Sequence, residues 1–218
     1  MKLFSGNANR PLAEKLVQEF NTTVSPIELH VFPDGEQRVM LEEDVVEQDI
    51  VIVQPTNTPV DSNIMQLVFL IDAAKRNGAR FVTAVIPYLG YSRQDHIFRT
   101  GESRSLEIVA RMIENAGADR VISCDVHSIK IPEIFQTLFT NLSALPLFAK
   151  KIKSNNWVDK DTALVSPDMG GVRRIKQIAE MLGNMPIVTI QKDRDLKSGD
   201  IKASNIDGEV KRRAIVVD

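Results

Sequence analysis

The sequence predicts an α/β fold with mainly parallel sheets, on three observations. Short apolar runs recur at residues 49–54, 81–86, 121–124, 163–166, 187–190 and 214–217. Such continuous runs suit strands covered on both faces, as in a parallel sheet. Segments of helical periodicity separate many of them, and strand–helix–strand alternation implies right-handed parallel crossovers. Several of the runs also end abruptly in proline, glycine or charged residues, where loops at a sheet's carboxyl edge would begin.

In order, residues 2–4 read as a strand ending at Ser5-Gly6-Asn7. Pro11 opens a helix with Leu12, Leu16, Val17 and Phe20 on one face. Residues 27–32 alternate as a half-buried strand, and 39–41 resume one after the turn Pro33-Asp34-Gly35-Glu36. After the strand at 49–54, Asp61 or Ser62 is the expected cap of a helix running to about Asn77, with Ile64, Leu67, Val68, Ile71 and Ala74 inward. Met65 and Phe69 read as packing residues, and Gly78 closes the helix. Residues 96–103 read as a loop, 104–115 as a helix, and 128–145 as a short helix and a loop. A helix follows from Pro146 to Asn155, and another begins after Gly170-Gly171. Residues 191–204 carry Lys192, Asp193, Arg194, Asp195, Lys197, Asp200 and Lys202, a mixed-charge pattern that reads as a mobile surface loop. After Val217 only Asp218 remains, so the second half reads as incomplete.

Composition narrows the function classes. With 43% hydrophobic and 26% charged residues, the chain has ordinary globular content. Lys plus Arg number 27 against 29 Asp plus Glu, a net charge of −2, which supplies no bulk basic field for nucleic acid or a membrane surface. The single cysteine, Cys124, excludes an intrachain disulfide and reads as a small core residue in a reducing, cytoplasmic compartment. The start is too soon polar for a signal peptide, and no apolar run is long enough to span a bilayer.

Residues 84–95, Ala-Val-Ile-Pro-Tyr-Leu-Gly-Tyr-Ser-Arg-Gln-Asp, carry the sharpest chemistry. A buried strand stops at Pro87, a glycine turn follows, and Arg93 and Gln94 are released where ligands of parallel sheets bind. A forked guanidinium beside an amide suits anionic oxygens such as phosphate; an ordinary polar loop is the plain alternative. Asp125-Val126-His127 ends another strand. Residues 166–171, Ser-Pro-Asp-Met-Gly-Gly, run from a strand into a helix and form a natural anion cradle through free backbone N–H groups.

Six ordered motifs together carry a resemblance over essentially the whole chain. They are Phe4-Ser5-Gly6-Asn7-Ala8-Asn9, Phe32-Pro33-Asp34-Gly35-Glu36, residues 87–95, Asp125-Val126-His127, residues 166–171 and Lys192-Asp193-Arg194. In these the chain resembles the ribose-phosphate diphosphokinase (phosphoribosyl-diphosphate synthetase) family. The resemblance implies two phosphoribosyltransferase-type domains, 1–145 and 146–218, the second incomplete here. It implies transfer of the diphosphoryl group of Mg-ATP to the 1-hydroxyl of ribose 5-phosphate, with AMP released. By the same resemblance, Arg93 and Gln94 contact ATP, and Asp34, Gly35 and Glu36 reach the adenine of a neighbouring subunit's ATP. The magnesium-site residues are then His127 and Asp168, with Asp125 beside His127 to orient it or help the metal. Lys192 is the catalytic lysine and Arg194 its companion. Arg194 and Asp218 are the ribose-5-phosphate contacts. The implied assembly is a cytoplasmic homo-oligomer, often a hexamer, without nucleic-acid or membrane partners.

The chain departs from the family's commonest bacterial pattern at residues 95–102 and at Ser128-Ile129-Lys130. These changes bear on regulation by phosphate or ADP and leave the carried-over positions intact. The other readings are a non-catalytic regulatory relative and an inactive fragment of the synthetase.

Overall fold

The computed structural model of the chain describes residues 1–194 and 201–217, with 192–194 and 201–204 described by their backbone alone. The chain divides into two compact units, Met1–Leu142 and Ser143–Asp218.

The first unit runs β1 (Lys2–Ser5), α1 (Arg10–Glu19), β2 (Val24–Ser25), β3 (Ile27–Val31), β4 (Gln37–Leu41), β5 (Asp49–Val53), α2 (Val60–Arg76), β6 (Phe81–Ile86), α3 (Ser105–Asn115), β7 (Arg120–Cys124) and β8 (Leu138–Leu142). Six of these strands form one sheet in the order β2-β1-β5-β6-β7-β8, and every pairing in it is parallel. The apolar runs drive this arrangement: Ile50, Ile52, Val53, Val82, Ala84, Ile86 and Val121 are all buried. Helix α2 lays Ile64, Leu67, Leu70, Ile71 and Ala74 on one side of that core, and α3 adds Leu106, Val109, Ala110 and Ile113. Asn9 caps α1 by accepting the Leu12 N–H at 3.2 Å.

Strands β3 and β4 stand apart from the main sheet as an antiparallel hairpin, pairing Ile27 with Leu41 through Val31 with Gln37. Ile27, Val39 and Leu41 pack onto the main core, while the residues of the tip, 32–36, are exposed.

The second unit runs α4 (Leu145–Ser154), β9 (Thr162–Ser166), a 3-10 turn at Met169–Gly171, α5 (Val172–Met181), β10 (Ile187–Arg194), β11 (Ile201–Asp207) and β12 (Arg213–Val216). Its sheet has the order β11-β10-β9-β12, with β10 and β12 parallel to β9 and β11 antiparallel to β10. Ile152, Leu164, Ile175, Ile178 and Leu182 centre its own core.

Four expectations need correction. Residues 191–194 and 201–204 are paired strand backbone, not loop, with a register shift between Gln191 and Lys192. Residues 138–142 form β8, an edge strand almost wholly exposed, whose apolar run is interrupted by Thr140 and Asn141. Helix α2 begins at Val60 after Pro59, without a side-chain cap, and Asp61 lies in its first turn. Cys124 is exposed rather than core, because strand alternation turns Val121 and Ser123 inward and leaves Cys124 outside.

Candidate functional site

Beyond the carboxyl end of β6 the chain is clamped before it releases its polar side chains. Tyr88 O accepts both the N–H and the hydroxyl of Thr56, at 2.9 and 3.0 Å. Thr56 Oγ1 accepts the Gly90 N–H at 2.7 Å. A Cβ at Gly90 would stand 2.7 Å from Thr56 O and 2.8 Å from Val60 Cγ1, so the approach excludes any side chain. Tyr91 then takes a left-handed backbone, φ +60°, a strained state that persists where surroundings over-determine it. Its hydroxyl donates to Asp61 Oδ1, and that carboxylate raises the phenol's pKa. Ser92 Oγ donates to Leu89 O at 2.6 Å, and the Gln94 N–H donates to Tyr91 O at 2.8 Å. Arg93 and Gln94 emerge exposed from this rigid turn, and Asp95 turns back inward.

The turn after β7 emerges beside it, because Ile86 of β6 pairs with Ser123 of β7. Asp125, at φ +42°, donates its N–H to Leu142 O at 2.9 Å. The Val126 N–H donates to Asn141 Oδ1 at 3.2 Å, and His127 is exposed. The sheet therefore brings the turns carrying Arg93, Gln94 and His127 to one edge. The hairpin tip presents Asp34, Gly35 and Glu36: Asp34 Oδ1 accepts the Glu36 N–H, and Gly35 sits at φ +91°. A cavity of about 430 Å³ separates the tip from α2, and Met65 and Phe69 help to line it.

Strand order reverses between β1 and β5, and such a switch point is the usual ligand crevice of an open α/β sheet. Here the chain's own amides occupy it. Gln66 Oε1 accepts the Asn7 N–H at 2.7 Å, and Gln54 Oε1 accepts the Ala8 N–H at 3.2 Å. Both glutamines are buried, and a Cβ on Gly6 would meet Gln54 Oε1 at 2.1 Å. Sequence reasoning missed this pair. The available signal was an amide ending an apolar strand and another on the inward stripe of a helix.

In the second unit, Asp168 Oδ1 accepts the Gly171 N–H at 3.1 Å, and Ser166 Oγ donates to Asp168 O at 2.8 Å. The cradle expected of this turn thus already gives one donor to an internal carboxylate. Lys192 and Arg194 lie on β10. Their side chains, and Asp218, fall outside the described residues. Among the described residues no three His, Cys, Asp or Glu side chains gather as a metal cage, and His127 and Asp168 belong to different units.

A clamped turn with a forked cation at the carboxyl edge of a parallel sheet is the equipment of an α/β enzyme that handles phosphate groups. Residues 1–117 match the family model described as the N-terminal domain of ribose phosphate pyrophosphokinase. The ribose-phosphate pyrophosphokinases of Thermosipho africanus and Thermotoga maritima are 43% and 41% identical to the whole chain, which spans 69% of each. A crystal structure of phosphoribosylpyrophosphate synthetase from Mycobacterium smegmatis matches all of the chain with a TM-score of 0.90 at 32% identity, and the chain covers 70% of it. The chain belongs to the ribose-phosphate pyrophosphokinase family, a family of nucleotide-biosynthetic transferases.

Proposed function

We propose that the chain takes part in transfer of the diphosphoryl group of Mg-ATP to the 1-hydroxyl of ribose 5-phosphate, yielding phosphoribosyl diphosphate and AMP. The hydroxyl oxygen attacks the β-phosphorus as the bond to the α–β bridging oxygen breaks, and the hydroxyl proton is lost. The observation that carries this reading is the clamped turn beyond β6, which fixes Arg93 and Gln94 outward on the edge shared with His127. Positioning and charge neutralisation are the main demands of phosphoryl transfer.

In this reading Arg93 and Gln94 take triphosphate oxygens. Asp34, Gly35 and Glu36 serve the adenine amine of a neighbouring copy's ATP, which a carboxylate or backbone carbonyl accepts. The site is then shared within a cytoplasmic homo-oligomer. Lys192 and Arg194 stabilise charge developing on the transferred group, and Arg194 with Asp218 holds ribose 5-phosphate. His127 and Asp168 would hold magnesium. Asp168 commits one oxygen to Gly171, and its second has no hydrogen-bond partner among the described residues. A carboxylate oxygen suits an ion that keeps several waters and completes its shell with substrate phosphates, and a histidine would act on such an ion through one of its waters. When bound, the ion would neutralise charge on the β and γ oxygens.

Calorimetric titration of ATP in magnesium tests the site. Arg93→Ala is expected to weaken binding by about tenfold or more, the scale of a lost charge-assisted hydrogen bond, with an unchanged unfolding midpoint. Equal affinity in the variant would exclude Arg93 from the site.

A further inference from the structure

Helix α2 begins between the two elements that the nucleotide reading uses, and its first turn holds both. On one side Asp61 Oδ1 accepts the hydroxyl of Tyr91, which stands two residues before Arg93. The Val60 side chain closes on Gly90 of the same turn. On the other side Ser62 Oγ accepts a hydrogen bond from Gln37 Nε2 at 2.7 Å, and Gln37 directly follows Glu36 of the hairpin tip. One helical turn on, Gln66 Nε2 donates to Gln37 Oε1 at 3.3 Å. Asp61 and Ser62 are neighbours in the chain. Two adjacent residues therefore tie the turn that releases Arg93 and Gln94 to the hairpin that presents Asp34, Gly35 and Glu36.

Open space flanks both ties. The cavity of about 430 Å³ lies between α2 and the hairpin tip, and another of about 300 Å³ lies among α2, α3 and Tyr91; Asp61 and Met65 line both. The hairpin shares no ladder with the main sheet, so near its tip it is tied through Gln37. A ligand that fixes the Arg93–Gln94 turn favours the Tyr91–Asp61 bond. That bond orders the first turn of α2, and the ordered turn presents Ser62 to Gln37. Coupling of this kind is reciprocal between the two ends.

We propose that Tyr91, Asp61, Ser62 and Gln37 are positioning residues through which occupancy of the Arg93–Gln94 turn fixes the hairpin tip for the neighbouring copy's adenine. The inference rests on the nucleotide reading above. A merely structural role for the same bonds would hold the hairpin equally with and without ligand.

The test uses inorganic tripolyphosphate with magnesium, which offers the oxygens of a triphosphate but no base for the hairpin tip to touch. Amide exchange is followed by NMR in the 218-residue native chain, Tyr91→Phe and Gln37→Leu, each with saturating tripolyphosphate and without it. Two amides report on the turn: Gly90 N–H, held by Thr56 Oγ1, and Gln94 N–H, held by Tyr91 O. Two report on the tip: Phe32 N–H, which donates to Glu36 O at 2.8 Å, and Gly35 N–H, which donates to Phe32 O at 2.9 Å. In the native chain the ligand should slow Gly90 and Gln94, and should slow Phe32 and Gly35 about fivefold, the lower end of ordinary coupling between sites. In both variants Gly90 and Gln94 should still respond, while Phe32 and Gly35 keep their ligand-free rates. Tip slowing that persists in either variant, or that is absent from the native chain while Gly90 and Gln94 respond, would overturn the proposal and leave the nucleotide reading standing. No response of Gly90 and Gln94 to tripolyphosphate or to Mg-ATP would overturn both. Tyr91 and Gln37 are only half-buried and lie on opposite sides of α2, so either variant alone keeps the test informative if the other does not fold.

Discussion

Gly90 leaves no space for a methyl group, and the nearest obstacle is the Thr56 backbone carbonyl rather than a flexible side chain. Gly90→Ala is expected to cost about 1–3 kcal/mol through overpacking. It should also weaken ATP binding, because the same turn carries Arg93 and Gln94. Urea unfolding and nucleotide titration of one sample read both effects. Ser123 behaves in the opposite way. Its hydroxyl is fully buried and is the one buried side-chain polar atom without a partner among the described residues. Ser123→Ala removes an unpaired buried polar group, so it should leave stability unchanged or raise it by up to about 1 kcal/mol. A loss in urea unfolding would show that the hydroxyl has a partner. At this scale the sequence was a partial guide. Arg93 and Gln94 were legible because a proline-stopped apolar strand must release its next polar residues at the sheet edge. Cys124 was misread because an apolar run was taken as buried throughout, whereas β7 hides only alternate residues near its end.

At the scale of elements, the parallel strands β5, β6, β7 and β9 were legible because burial on both faces demands continuous apolar sequence. Strands that escape that demand were not. β8 is an edge strand with Leu138, Thr140, Asn141 and Leu142 exposed, and β11 is the edge of the second sheet. Neither has the two covered faces that produce the signal, so mixed polarity read as loop. The attachment of the β3–β4 hairpin was also invisible, because it runs through amides distant in sequence. Gln66 Nε2 donates to Gln37 Oε1 at 3.3 Å, and Gln37 Nε2 donates to Ser62 Oγ at 2.7 Å. Gln66 at the same time holds the Asn7 N–H. Gln66→Leu is expected to strand that N–H and release the hairpin base, costing about 1–3 kcal/mol. Faster amide exchange in β3 and β4, with β5 and β6 still protected, would localise the effect. Uniform acceleration across the unit would contradict this role for Gln66.

At the scale of the molecule, two α/β units, each with its own core, divide the proposed chemistry. Arg93, Gln94, His127 and the hairpin tip belong to the first; Asp168, Lys192 and Arg194 belong to the second. The parallel architecture was readable because strand–helix alternation constrains topology strongly. The proposed site rests on several short motifs in a fixed order, since each alone has an ordinary structural explanation. The interior plug of Gln54 and Gln66 was missed, because an amide ending an apolar strand and one on a helix's inward stripe signal burial but not that they fill a crevice other α/β sheets leave for ligand. The most direct test of the central claim is ³¹P NMR of ATP and magnesium with and without ribose 5-phosphate, using this chain and Lys192→Ala. The account predicts AMP and a diphosphate ester at carbon 1 of the sugar only when ribose 5-phosphate is present, with both signals lost in Lys192→Ala. AMP or orthophosphate formed at the same rate without the sugar, or full activity in the lysine variant, would contradict it.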